Sequence, residues 1–175
     1  MADNPTGSGE FLGGRYGNAL LVRGEIRSWA LRRLPRLPGS EARTALVARL
    51  RTTHGTALTV IATHLAVRTL EARWQLGRLL DGAASPAIAR GERVVVLGDL
   101  NLGPRHVGPA AHRRALEMVP ASPTFPTPAP SRQIDHLLCS AGLAATSIDG
   151  RRLPVSDHLG LIVGLAAGMP AAVEN

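Results

Sequence analysis

Asp99 and Asn101, in Gly98-Asp99-Leu100-Asn101, directly follow the apolar run Val94-Val95-Val96-Leu97. Side chains alternate along a strand, so residues i and i+2 share a face. The spacing predicts that both project together from the edge of a sheet. A carboxylate beside a carboxamide can hold one water molecule in a fixed orientation. Hydrolysis of a phosphoester needs such an arrangement, because its catalysis is mostly positioning and charge stabilisation.

Other residues capable of chemistry recur at strand ends. His64 follows Ala57–Thr63, Asp135 lies within Ile134–Cys139, and Asp157 and His158 precede Leu159–Leu165. A lone aspartate before a strand is more often a turn residue, and a lone loop histidine is more often at the surface. Four such strand ends in one chain weigh against coincidence. Converging on one mouth, they would assemble three carboxylates, two histidines and an amide.

The elements that must position these groups read as a mixed α/β chain. Asn18–Val22 is a short strand. Thr44–Arg51 and Ala57–Thr63, joined by a turn containing Gly55, form an antiparallel hairpin. Thr69–Asp81 is a helix with Thr69 as N-cap, its stripe formed by Ala72, Leu76, Leu79 and Leu80. Val94–Leu97 is a buried strand and Ala111–Met118 a short helix. Pro120–Arg132, with five prolines, is a loop. Arg32–Ser40 is a connector. Trp29 and Trp74 read as packing residues, Glu25 and Glu71 as solvated, Asp81 as a helix end and Cys139 as a buried structural thiol. His136, next to Asp135, should face the other way; His54, His106 and His112 carry no assigned role.

Composition narrows the class. A chain of 175 residues with 45% apolar residues favours one folded domain over disorder. Aromatics are only 3%, so the core must come from aliphatic side chains. All 20 basic residues are arginine, and the net charge of +7 suits an anionic partner such as nucleic acid. One cysteine excludes an intrachain disulfide and a cysteine-based metal cluster. No apolar run approaches the ~18 residues of a spanning helix. The first residues lack the apolar core of a signal peptide, so the expected location is cytoplasmic.

The order of these motifs resembles the endonuclease/exonuclease/phosphatase superfamily, the DNase I-like phosphodiesterases. The matching pieces are Gly17-Asn18-Ala19-Leu20-Leu21, Glu41-Ala42-Arg43, Thr63-His64-Leu65, Gly98-Asp99-Leu100-Asn101, Thr124-Phe125-Pro126, Ile134-Asp135-His136 and Ser156-Asp157-His158. The resemblance implies a DNase I-like two-sheet α/β sandwich flanked by helices, incomplete at its amino end. The expected divisions are a loose segment over 1–12, the domain over 13–168 and a tail over 169–175.

It also implies roles. Asp99 would orient or deprotonate the attacking water, and Asn101 would fix it. His158 would face the scissile phosphate, its other ring nitrogen held by Asp135. Asp157 would help hold Mg²⁺ or Mn²⁺. His64 and Arg43 would contact phosphate oxygens, with Asn18 a phosphate contact or a backbone brace.

The family also carries an amino-terminal portion with a metal-binding glutamate in a Gln-Glu pair. Glu10, the only upstream glutamate, lacks the preceding apolar strand. Two readings follow. One is a divalent-metal-dependent hydrolase of the nuclease, phosphodiesterase or phosphatase kind. The other is a catalytically impaired remnant that binds an anionic partner such as nucleic acid. Lost strands would leave a sheet edge open to association.

Overall fold

A computed structural model describes residues 2–5 and 17–168. Two short strands come first, β1 (Ala2–Pro5) and β2 (Gly17–Leu20), paired antiparallel. Residues 2–5 thus form a strand where a loose segment was expected. The rest of that segment, and the tail over 169–175, lie outside the described residues.

The main sheet contains β3 (Gly24–Arg33), β4 (Thr44–Thr52), β5 (Ala57–His64), β6 (Val94–Asp99), β7 (Leu116–Met118) and β8 (Asp135–Ser140). Its six strands run in the order β3-β4-β5-β6-β8-β7. β5 and β6 are parallel, and the remaining pairs are antiparallel. A parallel pair needs a long crossover. It is supplied by α1 (Thr69–Leu79), a π-helical turn over Leu80–Ala84 and α2 (Ser85–Ala89).

The buried run Val94–Leu97 packs on both faces of the sheet. Val94 and Val96 pack toward the helices with Ile61, Ala72, Leu76, Leu79 and Leu138. Val95 and Leu97 face the opposite way, against Leu20 of β2 and residues of the hairpin β9 (Leu143–Arg152) and β10 (Leu159–Ala167). The two-residue period of the strand therefore feeds two apolar layers. The result is an α/β sandwich, helices on one face and strand pairs on the other.

Several expectations change. The helix starting at Thr69 ends as α1 at Leu79, and the π-helical turn carries the chain past Asp81 into α2, with Pro86 near its start. Asp81 lies inside the π-turn and pairs with Arg114 at 2.6 Å. The cap of α1 is Arg68, and it makes no side-chain cap bond. The helix expected over Ala111–Met118 lies earlier, as α3 (Pro104–His112), with Pro104 in its first turn and Val107 and Ala111 buried four residues apart. Leu116–Met118 instead pairs with β8.

Glu71 is buried, accepting from Leu37 N at 3.1 Å and Ser40 Oγ at 2.6 Å. Trp29 and Trp74 are about half exposed, at 53% and 46%, and do not serve as core. Cys139 and His136 are buried, His136 with its Nε2 2.7 Å from Leu102 O. Glu25 stays exposed beside Arg27. Among the described residues, no helix is long and apolar enough to cross a membrane.

Candidate active site

Strand register assembles the site. His64, the last residue of β5, lies opposite Asp99, the last residue of β6. Asp99 in turn lies opposite Asp135, the first residue of β8. Three chemically active side chains thus stand side by side across neighbouring strands. The distance from His64 Nε2 to Asp99 Oδ2 is 3.4 Å.

Gly98 makes the approach of β5 and β6 possible. Its φ is +136°, and a Cβ there would stand 1.9 Å from Thr63 O. A residue with a side chain would push the strands apart just before the His64–Asp99 pair.

The motif around Asn101 works differently from a continuing strand. Asn101 has φ +50°, and its backbone N–H donates to Asp99 Oδ1 at 2.8 Å. An aspartate accepting from the amide two residues on makes an Asx-turn. The side-chain amide of Asn101 donates to Leu65 O at 3.0 Å. The chain has therefore left the strand by Asn101, and the alternation expected from sequence does not set its direction. Asn101 ties the Asp99 carboxylate and the end of β5 together.

His158 arrives from the other layer, just before β10. Its Nδ1 lies 2.8 Å from Asp135 Oδ2. The same oxygen accepts from Thr124 Oγ1 at 2.5 Å. The proline-rich loop that carries Thr124 is ordered. Thr127 N donates to Asp157 O and Leu159 N to Thr124 O, each at 2.8 Å. Phe125 packs its ring against His158, centroids 4.7 Å apart. Thr124 and Phe125 are site residues to which sequence reasoning gave no role, although their motif was in view. Their partners lie far along the chain.

Electrostatics separate the groups. Burial, with the nearby Arg43 charge, lowers the pKa of His64 to about 4. Burial raises that of Asp99, and the Asp135 carboxylate adds to it. Burial opposes protonation of His158, but the Asp135 hydrogen bond and the Asp135, Asp99 and Asp157 charges outweigh it, and its pKa rises. One histidine is thus held neutral while the other favours its proton.

Arg43 is buried, with Nη2 3.0 Å from Glu41 Oε2. Its Nε and Nη1 have no hydrogen-bond partner among the described residues. Asn18 Nδ2 donates to Thr44 O at 3.1 Å, which makes it a brace between β2 and the start of β4.

A divalent cation fits this donor set. Asp99, Asp135 and His158 each offer a ligand atom, and these atoms lie within 4.8 Å of one another. Two carboxylates held that close repel, which adds to the burial that chiefly raises the Asp99 pKa, and a cation between them relieves the repulsion. Asp157 is exposed beside His158 and is not one of these three.

Comparison with known proteins agrees with the geometry. The sequence model described as Endonuclease/Exonuclease/phosphatase family matches residues 4–158. The chain belongs to the endonuclease/exonuclease/phosphatase family. That match begins upstream of residue 13, where the motif resemblance starts. No curated protein matches the chain in sequence.

Solved structures share the family fold at low identity. The catalytic domain of human Nocturnin with bound sulfate is 20% identical, with a TM-score of 0.63 over 83% of this chain and 60% of that one. An endonuclease/exonuclease/phosphatase from Beutenbergia cavernae is 20% identical, with a TM-score of 0.67 over 82% and 45%. A mannosyl-6-phosphatase from Bacteroides thetaiotaomicron is 12% identical, with a TM-score of 0.66 over 82% and 67%. The chain thus spans 60% of the Nocturnin structure and 45% of the Beutenbergia one.

Proposed function

We propose that this chain is a divalent-metal-dependent phosphoester hydrolase, in which Asp99 positions or deprotonates the attacking water. The observation that carries the reading is the alignment of His64, Asp99 and Asp135 across β5, β6 and β8, with His158 hydrogen-bonded to Asp135. An aligned acid, base and orienter is the arrangement that proton transfer at a phosphate needs.

Each side chain has a role that its environment supports. The raised pKa of Asp99 makes it a stronger base than an ordinary carboxylate. Asn101 fixes the Asp99 carboxylate through its backbone amide. His158, oriented by Asp135 and inclined to keep its proton, donates to a phosphate oxygen and offsets the charge that develops there. His64, held neutral, donates one N–H to the same group. Arg43 brings a buried positive charge close to His64, which suits a phosphate anion at this edge.

Mg²⁺ or Mn²⁺ held by carboxylate oxygens of Asp99 and Asp135, with Asp157 at the rim, would supply charge neutralisation at the phosphate oxygens while His158 keeps its proton.

The test is hydrolysis of bis(p-nitrophenyl) phosphate and p-nitrophenyl phosphate with Mg²⁺ or Mn²⁺. Turnover that a chelator removes, and that Asp99→Asn and His158→Ala each lower by about 10²-fold or more, is the expected result. Turnover that survives Asp99→Ala would overturn the assignment. Binding of nucleic acid without turnover, indifferent to chelator, would favour the non-catalytic anion binder instead.

A further inference from the structure

We propose that the groove between α1 and α3 is a binding track for single-stranded nucleic acid, leading to the catalytic edge. The inference deepens the hydrolase reading and rests on it only for where the strand leads.

Topology places the groove. α1 follows shortly after His64 at the end of β5, and α3 shortly after Asp99 at the end of β6. Both helices therefore rise from the catalytic edge. Between them lies a groove of about 450 Å³ lined by Arg73 and Trp74 of α1, Arg105 and His106 of α3, and Arg113 just beyond. A second hollow of about 340 Å³ shares Arg105 and His106 and extends to Asn101 and Arg132. Their shared lining sets the two hollows side by side, from Trp74 to Asn101.

The chemistry of the lining selects the occupant. No carboxylate lines either hollow among the described residues. Arg73, Arg105, Arg113 and Arg132 are exposed. Arginines spaced along a path track a phosphodiester backbone, since each can release a counterion from it. Free phosphate would use the arginines alone.

Trp74 adds a second requirement. Its indole is 46% exposed at the groove, beside Leu70 at 76%. Aromatic rings interleaved with cations are how proteins hold unpaired bases, which stack on the ring face. In a duplex those base faces are already covered by neighbours. The combination therefore favours a single strand.

The test measures binding of a fluorescein-labelled single-stranded oligodeoxynucleotide to the full chain in EDTA, where turnover does not interfere. Trp74→Ala is expected to weaken binding about five- to hundredfold, the stacking loss for one base. Trp74→Phe should restore most of it. Joint replacement Arg73→Gln and Arg113→Gln should flatten the log–log salt dependence by about 1.4, roughly 0.7 per lost phosphate contact. A duplex of the same sequence should compete poorly.

The proposal is overturned if Trp74→Ala binds like the parent, if Trp74→Phe fails to rescue with an unchanged melt, if the salt slope does not move, or if duplex competes equally. Strand binding that follows Trp74, in a chain with no hydrolase activity, would refute the catalytic reading and leave the track standing.

Discussion

Asp135 Oδ2 receives two hydrogen bonds, one from Thr124 Oγ1 at 2.5 Å and one from the Nδ1–H of His158 at 2.8 Å. One oxygen thus joins the proline-rich loop, the edge of the main sheet and the start of β10. The carboxylate orients the imidazole and favours its protonated form, leaving Nε2 as the nitrogen available to a substrate.

Asp135→Asn should therefore lower the titration midpoint of His158 in the metal-free protein, measured from its ring resonances by NMR. It should also reduce phosphodiester turnover by about 10²-fold or more, since the ring loses both its charge partner and its preferred tautomer. Thr124→Val should also reduce turnover, but less, because the carboxylate loses the bond that holds its orientation, and Thr124→Ser should restore the parent behaviour. A midpoint unmoved by Asp135→Asn would separate His158 from this partner.

The two histidines impose opposite pH signatures on stability. His64 falls to about 4 in the fold, from an ordinary value of 6.5. The unfolded chain therefore binds the proton first as acid is added. Its contribution is intact above about pH 6.5 and is lost as pH falls toward 4, up to about 3 kcal/mol. His158 is raised, so its contribution is present below about pH 6.5 and lost as pH climbs through its folded value. Denaturant melts of the metal-free protein between pH 7 and pH 4.5 should show acid weakening that His64→Gln reduces. An unchanged slope in that variant would assign the acid sensitivity elsewhere.

Much of the site was legible because its residues end strands that sequence marks clearly. Val94–Leu97 is apolar on both faces, so its exit at Asp99 can be placed, whereas the parallel pairing that sets His64 beside it is a feature of the fold. The direction of Asn101 was not legible, since the turn to φ +50° depends on local hydrogen bonds rather than on strand period. β3 and β9 escaped notice for a different reason. Nearly every residue in them is exposed, so no apolar alternation marks them, and pairing with β4 and β10 makes them strands. Glu71 and Thr124 depend on partners 31 to 34 and 11 residues away, which no local pattern encodes.

Gly98 shows how one backbone position serves the whole site. At φ +136°, any side chain is strained, and a Cβ would overlap Thr63 O. That oxygen belongs to backbone and cannot rotate away. Gly98→Ala should cost about 3 kcal/mol or more, read as a lower denaturation midpoint. Protein that still folds should lose turnover more than Asn101→Ala does, because β5 and β6 separate beside both His64 and Asp99. A melt equal to the parent would mean the strands can part without cost.

The connector over 34–43 carries Arg43 to the site, and Glu71 of α1 is its anchor. The buried carboxylate takes Leu37 N and Ser40 Oγ, while Gln75, one turn on, bridges Ala66 N and Pro35 O at 2.8 and 2.9 Å. Removing the Glu71 side chain leaves a partly buried backbone donor unsatisfied, at a cost of about 1–3 kcal/mol. Arg43 depends on this connector through the bond from Leu34 N to Arg43 O at 2.9 Å. Glu71→Ala should therefore raise KM for a phosphodiester more than it lowers kcat, because the guanidinium proposed to attract the phosphate is loosened while Asp99 and His158 stay in place. Glu71→Gln, which keeps the acceptor oxygen for Leu37 N, should recover most of the affinity. A fall in kcat with KM unchanged would show that the connector supports the chemistry rather than the grip on phosphate.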